Sequence, residues 1–473
     1  MYRLLTALLL LVPCATAGFV STAPLRQRGL DQLRQGYGGP PQLQAKAAAP
    51  PHVRHWPQWR GPLATGEAPQ AQPPISWSEQ KNVRWKVAVP GRGKGTPIIW
   101  GDRIFLTTAV PVEAAGSGRR APDSTRASQG FRRPDVAAGT GSYQFVVLAY
   151  AREDGRLLWR RVVREEKPHE GTHRDGTYAS SSALTDGERV YAFFGSRGLY
   201  ALDFSGRVLW EQQIGRMQTR LGFGEGTTPA LHDGTLVVMW DHEGADFLVA
   251  FDAKTGRERW RRERDEPTTW STPLVVEHGG RPQVVTGATN RVQGYDLATG
   301  AEIWSAPGLT TNVIPSPVAA DGMVYATSGF RGNVLRAIRL DAAKGEVSGP
   351  PALAWSYDRD TPYVPSPLLY QGTLYFLKSN SGILTALDAK TGNPHYTERL
   401  PNVPNVYASP VAADGRIYVV GREGAAAVVA AGPRMQVLAT NTLDDEFDSS
   451  PALVGSDLYL RGMRHLYRIA QQP

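Results

Sequence analysis

His169 and His173 stand four residues apart, the spacing at which two imidazoles on one helix face can ligate a single metal ion. Gly171 lies between them in a stretch that reads as a loop, and no further ligand pattern accompanies them, so no metal is assigned. Glu446 and Asp448 could share a cation, but two carboxylates at that spacing do not specify one. A nucleophile elbow of the form Gly-x-Ser-x-Gly is missing, so no Ser-His-Asp chemistry is assigned. No residue is taken as catalytic. The side chains that remain suit recognition: Arg92, Lys94, His173, Tyr178, Trp270, Asn312, Tyr363, Asn405, Tyr407, Glu446 and Asp448. This mixture of charges, amides and aromatics fits a small polar ligand or an extended peptide. Aromatic lining also leaves carbohydrate binding open.

These residues recur at similar places because the chain repeats. Most units open with Ser-Pro or Thr-Pro: Thr96-Pro97, Thr228-Pro229, Thr272-Pro273, Ser316-Pro317, Ser366-Pro367, Ser409-Pro410 and Ser450-Pro451, with Ser182-Ala183 in the second unit. A short apolar run follows, then a turn such as Asp233-Gly234 or Asp414-Gly415, then a second apolar run. A third run ends in Asp, as at Asp252 and Asp388. A second tight turn leads to Trp159, Trp210, Trp260, Trp304, Trp355 or Tyr396. In those turns Asp accepts backbone N–H groups and Gly supplies positive φ. A period of about 40 to 50 residues is that of four-stranded propeller blades. Eight openings are present. The last unit has three strands and lacks a Trp, whereas Asn82-Val83-Arg84-Trp85-Lys86 precedes the first unit as a strand without a blade. The expectation is an all-β, eight-bladed propeller over residues 82–470, closed by the N-terminal strand completing the last blade.

In such a ring the loops entering each first strand, and those joining second to third strands, share one face. They vary here, while the hairpins of the other face are short and stereotyped, so the first face is the expected binding rim. Asp175, Arg422, His242 and Asp241 also fall on it. Residues 111–142, rich in Gly, Ala, Ser and Arg, read as a mobile insertion in the first blade.

The 473 residues carry 52 Lys and Arg against 44 Asp and Glu, a net charge of +8. Apart from a cluster between Arg119 and Arg133 the arginines are scattered, which does not make a nucleic-acid stripe. Arg3, the apolar residues 4–12 and Ala15-Thr16-Ala17 read as a secretory signal over 1–17. The one cysteine, Cys14, lies within it, so cleavage after Ala17 leaves no disulfide, thiol or haem attachment. Pro13 before Cys14 makes a poor lipidation site. Residues 18–54, rich in Gln, Ala, Pro and Gly, read as a flexible leader, and 55–81 as an N-terminal extension. No later segment is apolar enough to span a membrane. An exported, periplasmic or secreted monomer is expected.

"HWPQWRGPLATG" (55–66), "HRDGTYASSSALTDGERVYAFFG" (173–195) and "LVAFDAKTGRERW" (248–260) resemble the PQQ-binding-like, BamB-like propeller repeats of the quinoprotein dehydrogenase-like superfamily. The resemblance implies the fold and two kinds of function. The dehydrogenases hold PQQ with calcium through a Glu/Asn/Asp set, use a catalytic Asp, stack the quinone on a Trp and often cover it with a disulfide of adjacent cysteines. Trp270 or Trp240 could supply the platform, but the disulfide cannot form. BamB-like members imply a non-catalytic scaffold with a protein partner in the cell envelope. That second function is expected here, without a cofactor, and a PQQ-dependent alcohol or sugar dehydrogenase is the alternative.

Overall fold

A computed structural model describes residues 51–112, 136–137 and 141–471. The signal, nearly all of the leader and most of the insertion lie outside the described residues. The rest form eight four-stranded antiparallel sheets, the blades of one propeller. Blade one runs Ile98–Trp100, Arg103–Pro111, Tyr143–Ala151 and Leu157–Glu166. The eighth comprises Ala452–Val454, Asp457–Arg461 and His465–Ala470, with Val83–Ala88 from the N-terminus as its outer strand, so the expected closure is present. Blade four gains a fifth strand, Gly345–Glu346, laid parallel to its outer strand Glu302–Pro307.

The opening Ser and Thr residues have a role that strand-start propensity does not reveal. Each donates its backbone N–H to the hydroxyl of the equivalent residue one blade on. Thr96 donates to Ser182 Oγ at 2.9 Å, Ser182 to Thr228 Oγ1 at 3.1 Å and Thr228 to Thr272 Oγ1 at 3.2 Å. The sequence continues through Ser316, Ser366 and Ser409 to Ser450. These links encircle the axis. They stop between blades eight and one, where Thr96 Oγ1 has no partner and Trp59 Nε1 instead donates to Ser450 Oγ at 3.4 Å.

The outer Trp residues join neighbouring blades. Trp210 Nε1 donates to the carbonyl of Ala253 at 3.0 Å, and Trp260 Nε1 to Leu297 at 2.8 Å. Each indole also covers a turn glycine of the next blade. A Cβ on Gly256 would lie 2.7 Å from Trp210, and one on Gly300 2.5 Å from Trp260. Trp85 completes this series across the closure, donating to Arg152 and covering Gly155. Trp304 departs from it: fully buried, it bonds Gln283 of its own blade. In the turns, Asp252 Oδ1 accepts the N–H of Thr255 at 2.8 Å, and Asp388 Oδ1 that of Thr391 at 2.7 Å. "LVAFDAKTGRERW" is thus turn and blade-packing sequence.

Residues 51–81 are ordered against the hairpin face, opposite the rim. Pro51–Arg54 makes a 3-10 turn. Trp56 then pairs with Ile99 of blade one, the Pro57 carbonyl accepts from Thr185 of blade two, and Ala68 donates to Ala412 of blade seven. The extension crosses the axis between these contacts, and Trp59 and Arg60 fill the end of the channel.

Candidate functional site

At the rim end of the axis, the loops entering successive first strands enclose a cavity of about 230 Å³. It is lined by Lys94, His173, Asp175, Phe223, Glu225, Trp270, Tyr363, Tyr407 and Asp448, with hydroxyls of the Ser/Thr ring below them and Trp59 at the floor. Seven of the expected residues therefore meet there: Lys94, His173, Asp175, Trp270, Tyr363, Tyr407 and Asp448.

Local chain geometry sets each one. Trp270 enters just before the Ser271-Thr272-Pro273 opening, and its Nε1 donates to the Gly224 carbonyl at 2.7 Å, fixing the indole against the blade-three loop. Phe223 stands 6.4 Å from Trp270 and edge-on to His173 at 5.1 Å, centroid to centroid. Tyr363 stacks on Phe330 at 4.7 Å. Together they make an apolar wall.

The charged groups at the mouth are paired with one another. Arg422 Nη2 lies 2.7 Å from Asp175 Oδ1 and 3.0 Å from Asp448 Oδ2, and its guanidinium sits over the Tyr407 ring at 4.2 Å. Lys94 Nζ bonds Asp448 Oδ2 and the Asp175 carbonyl. Burial raises the Asp175 carboxyl, but the hydrogen bond and charge of Arg422 outweigh it and hold the group below its ordinary range. Burial lowers the Lys94 ammonium, against the pull of Asp448. Asp448 Oδ1 is buried without a partner beside this cluster. Deeper in, Glu225 is held by Arg197 at 2.8 Å and by the N–H of Ser196 at 2.5 Å.

The other expected residues lie elsewhere. Arg92 is exposed and pairs through its backbone with Ala109. Tyr178 packs at 4.9 Å on Tyr143 and beneath Arg197, away from the cavity. Asn312 is buried with φ of 57° and backs the Tyr363 hydroxyl. Asn405 bonds Glu423 at 3.2 Å on the outer rim. Glu446 is exposed while Asp448 turns into the cavity, so the two do not form a joint cation site. Asp241 lies in the second-to-third strand loop of blade three, but its side chain is wholly buried against Arg264 at 2.7 Å and does not reach the cavity.

His169 and His173 also part company. His169 gathers instead with Glu170 and Glu225, within 4.8 Å of one another. Its Nε2 is engaged by the Met217 carbonyl at 2.7 Å, and Glu170 accepts from the Thr219 hydroxyl at 2.6 Å. Phe223, Glu225 and Trp59 were not anticipated. The aromatic in "GFGEGTTP", just ahead of an opening motif, was the available signal for Phe223. Trp59 comes from outside the repeat, where periodicity says nothing.

The sequence matches the family described as "Outer membrane protein assembly factor BamB" over residues 75–239, 206–308 and 244–471, which takes in the propeller. The chain belongs to the BamB family. The crystal structure of BamB from Moraxella catarrhalis is similar to this BamB-family propeller with a TM-score of 0.53 at 12% identity, over 82% of this chain and 99% of that one. A europium-containing methanol dehydrogenase gives 0.47 at 10% identity, over 80% and 89% of the two chains. The quinohemoprotein alcohol dehydrogenase from Comamonas testosteroni gives 0.45 at 11%, over 89% and 81%. At 12% identity the likeness to the Moraxella catarrhalis structure describes the fold. No curated protein matches the sequence. No helix among the described residues is long and apolar enough to cross a membrane.

Proposed function

We propose that this BamB-family chain is an exported, non-catalytic binding propeller of the cell envelope, which docks a protein partner at the rim cavity. The carrying observation is the cavity itself. Trp270, Phe223, Tyr363 and Tyr407 present aromatic surface at the convergence of the blades, while the charges around them cancel in pairs. Buried aromatic anchors surrounded by matched polar groups are the usual composition of an interface centre. The family's namesake is an outer membrane assembly factor, and the signal-like residues 1–17 fit an envelope location.

The residues do not fit PQQ with calcium. Calcium takes six to eight oxygen ligands, yet Asp175, Asp448 and Glu225 are each already held by a cation. An anionic quinone would meet Lys94 with its charge already matched by Asp448. Affinity purification from the cell envelope tests the proposal. A discrete partner should be recovered with the native chain and lost with Trp270→Ala and Tyr363→Ala. Retention of that partner by both variants would move the interface elsewhere. Recovery of glycan in place of protein would favour the carbohydrate reading.

A further inference from the structure

Five hydroxyls of the Ser/Thr ring line the rim cavity beneath its aromatic wall: Ser182, Thr228, Thr272, Ser409 and Ser450. Each accepts the backbone N–H of the equivalent residue one blade back. A hydroxyl that accepts keeps its own proton to donate. Among the described residues, none of the five gives that proton to an acceptor. Ser450 can only donate, because its Oγ already takes the N–H of Ser409 at 2.9 Å and Trp59 Nε1 at 3.4 Å. All but Thr272 are buried, and buried polar groups are ordinarily hydrogen-bonded.

The upper part of the cavity is the reverse. Lys94, Asp175 and Asp448 are spent on one another and on Arg422. Trp270 Nε1 is committed to the Gly224 carbonyl, and the Tyr407 hydroxyl to Asp175 Oδ2 at 3.3 Å. Phe223, Trp270 and Tyr363 therefore offer ring surface above a patch of waiting O–H donors. Trp59 closes the floor, so what enters is one side chain and not a chain threaded along the axis.

Such a cavity is open to hydrogen bonding at its deep end only. A sugar, with hydroxyls all round its ring, would leave several unpaired against the aromatic wall. A charged side chain would meet a cluster whose charges already balance. An indole donates but has no lone pair for the waiting protons, and a phenyl ring has none either. A phenol is an aromatic disc with one oxygen at its far end, which both accepts and donates.

We infer that the rim cavity takes a tyrosine side chain of the docking partner, with its ring against the aromatic wall and its phenolic oxygen on the hydroxyls of the Ser/Thr ring. This rests on the rim-docking reading and adds what the partner inserts.

p-Cresol, the side chain of tyrosine, tests it on the full chain by ligand-observed NMR titration, with toluene as the same disc without the oxygen. p-Cresol should saturate a single site, and toluene should bind about three- to tenfold more weakly, the worth of one net hydrogen bond. Trp270→Ala should abolish the saturation. Should that variant fail to fold, crystals of the native chain soaked in 4-bromophenol decide: the anomalous bromine peak should lie toward the mouth, and the phenolic oxygen about 2.7–2.8 Å from a ring hydroxyl. Equal affinity for toluene, no saturable binding of p-cresol, or a bromine pointing at the hydroxyls overturns the inference. If p-cresol fails while a protein cross-linked at the rim still depends on Trp270, the tyrosine assignment falls and the docking reading stands. Loss of that dependence as well removes both.

Discussion

Arg422, in the second-to-third strand loop of blade seven, holds Asp175, in the loop entering blade two, at 2.7 Å across 247 residues of sequence. The same guanidinium reaches Asp448 of blade eight, which in turn holds Lys94 of blade one. Four blades are tied together at the mouth, on both sides of the point where the ring closes.

Arg422→Met should leave Asp448 with Lys94 and strip the Asp175 carboxylate of its guanidinium partner. Side chains of the cluster are between 4% and 24% exposed, so the cost is set at about 1–2 kcal/mol, between exposed and buried pairs. Chemical denaturation reads it. Asp175 titrates low in the native chain, so its share of stability is present above the ordinary carboxylate pKa and disappears as the pH falls through its lowered value. The variant should lose that acid-side dependence, because burial, which raises the Asp175 carboxyl, is then opposed only by the charges of His173 and Lys94.

The propeller closes through Trp85, and that joint can be weakened without touching the cavity. Trp85→Ala should destabilise by about 2–4 kcal/mol, toward the lower part of the range for Trp deletions because the indole is partly exposed. Gly155→Ala, at φ +74° with Trp85 2.8 Å from the new Cβ, should cost at least about 1 kcal/mol. Both are read by urea unfolding.

Much of this was legible from residues alone. Asp-Gly turns, terminal Asp residues and Trp-bearing strands are local signals, and they fixed the blade count and the closure by Val83–Ala88. Lys94, Trp270, Tyr363, Tyr407 and Asp448 could be placed at one mouth because each lies at an equivalent place in its unit. The pairing of Arg422 with Asp175 was not readable, since it depends on how loops of distant blades lean together. Arg92, Asn405 and Glu446 belong to the same loops but point outward, a matter of side-chain direction that spacing does not encode. Trp59 and Arg60 sit in "WPQWRGP", outside any repeat, so nothing in the pattern indicated that they end in the axis.

Burial raises Glu266 to about 7, although its carboxylate accepts the N–H groups of Asn290 and Arg291 at 2.7 and 2.8 Å. The folded state therefore holds this proton more tightly than the unfolded chain. Its contribution favours folding increasingly as the pH falls from above 7 toward 4.5, by up to about 3 kcal/mol at 1.36 kcal/mol per unit. Relative to Glu266→Gln, the native chain should gain stability between pH 8 and pH 5, measured as the difference between paired melting curves.

Addition of PQQ and Ca²⁺ at micromolar concentration should leave no chromophore on the protein after desalting, and no dye-linked alcohol oxidation. Every acidic residue that calcium would need in the rim cavity is already paired. A retained quinone spectrum would restore the dehydrogenase reading.

The central claim is that partner docking occurs at the aromatic cavity of the rim. Site-specific photo-cross-linking in intact cell envelopes tests it most directly, with the probe at Tyr407 in one variant and at Leu209, on the exposed outer strand of blade two, in another. A discrete protein adduct from position 407, abolished by Trp270→Ala and not formed from position 209, is the predicted result. The same adduct from position 209, or one from position 407 that survives Trp270→Ala, would contradict it.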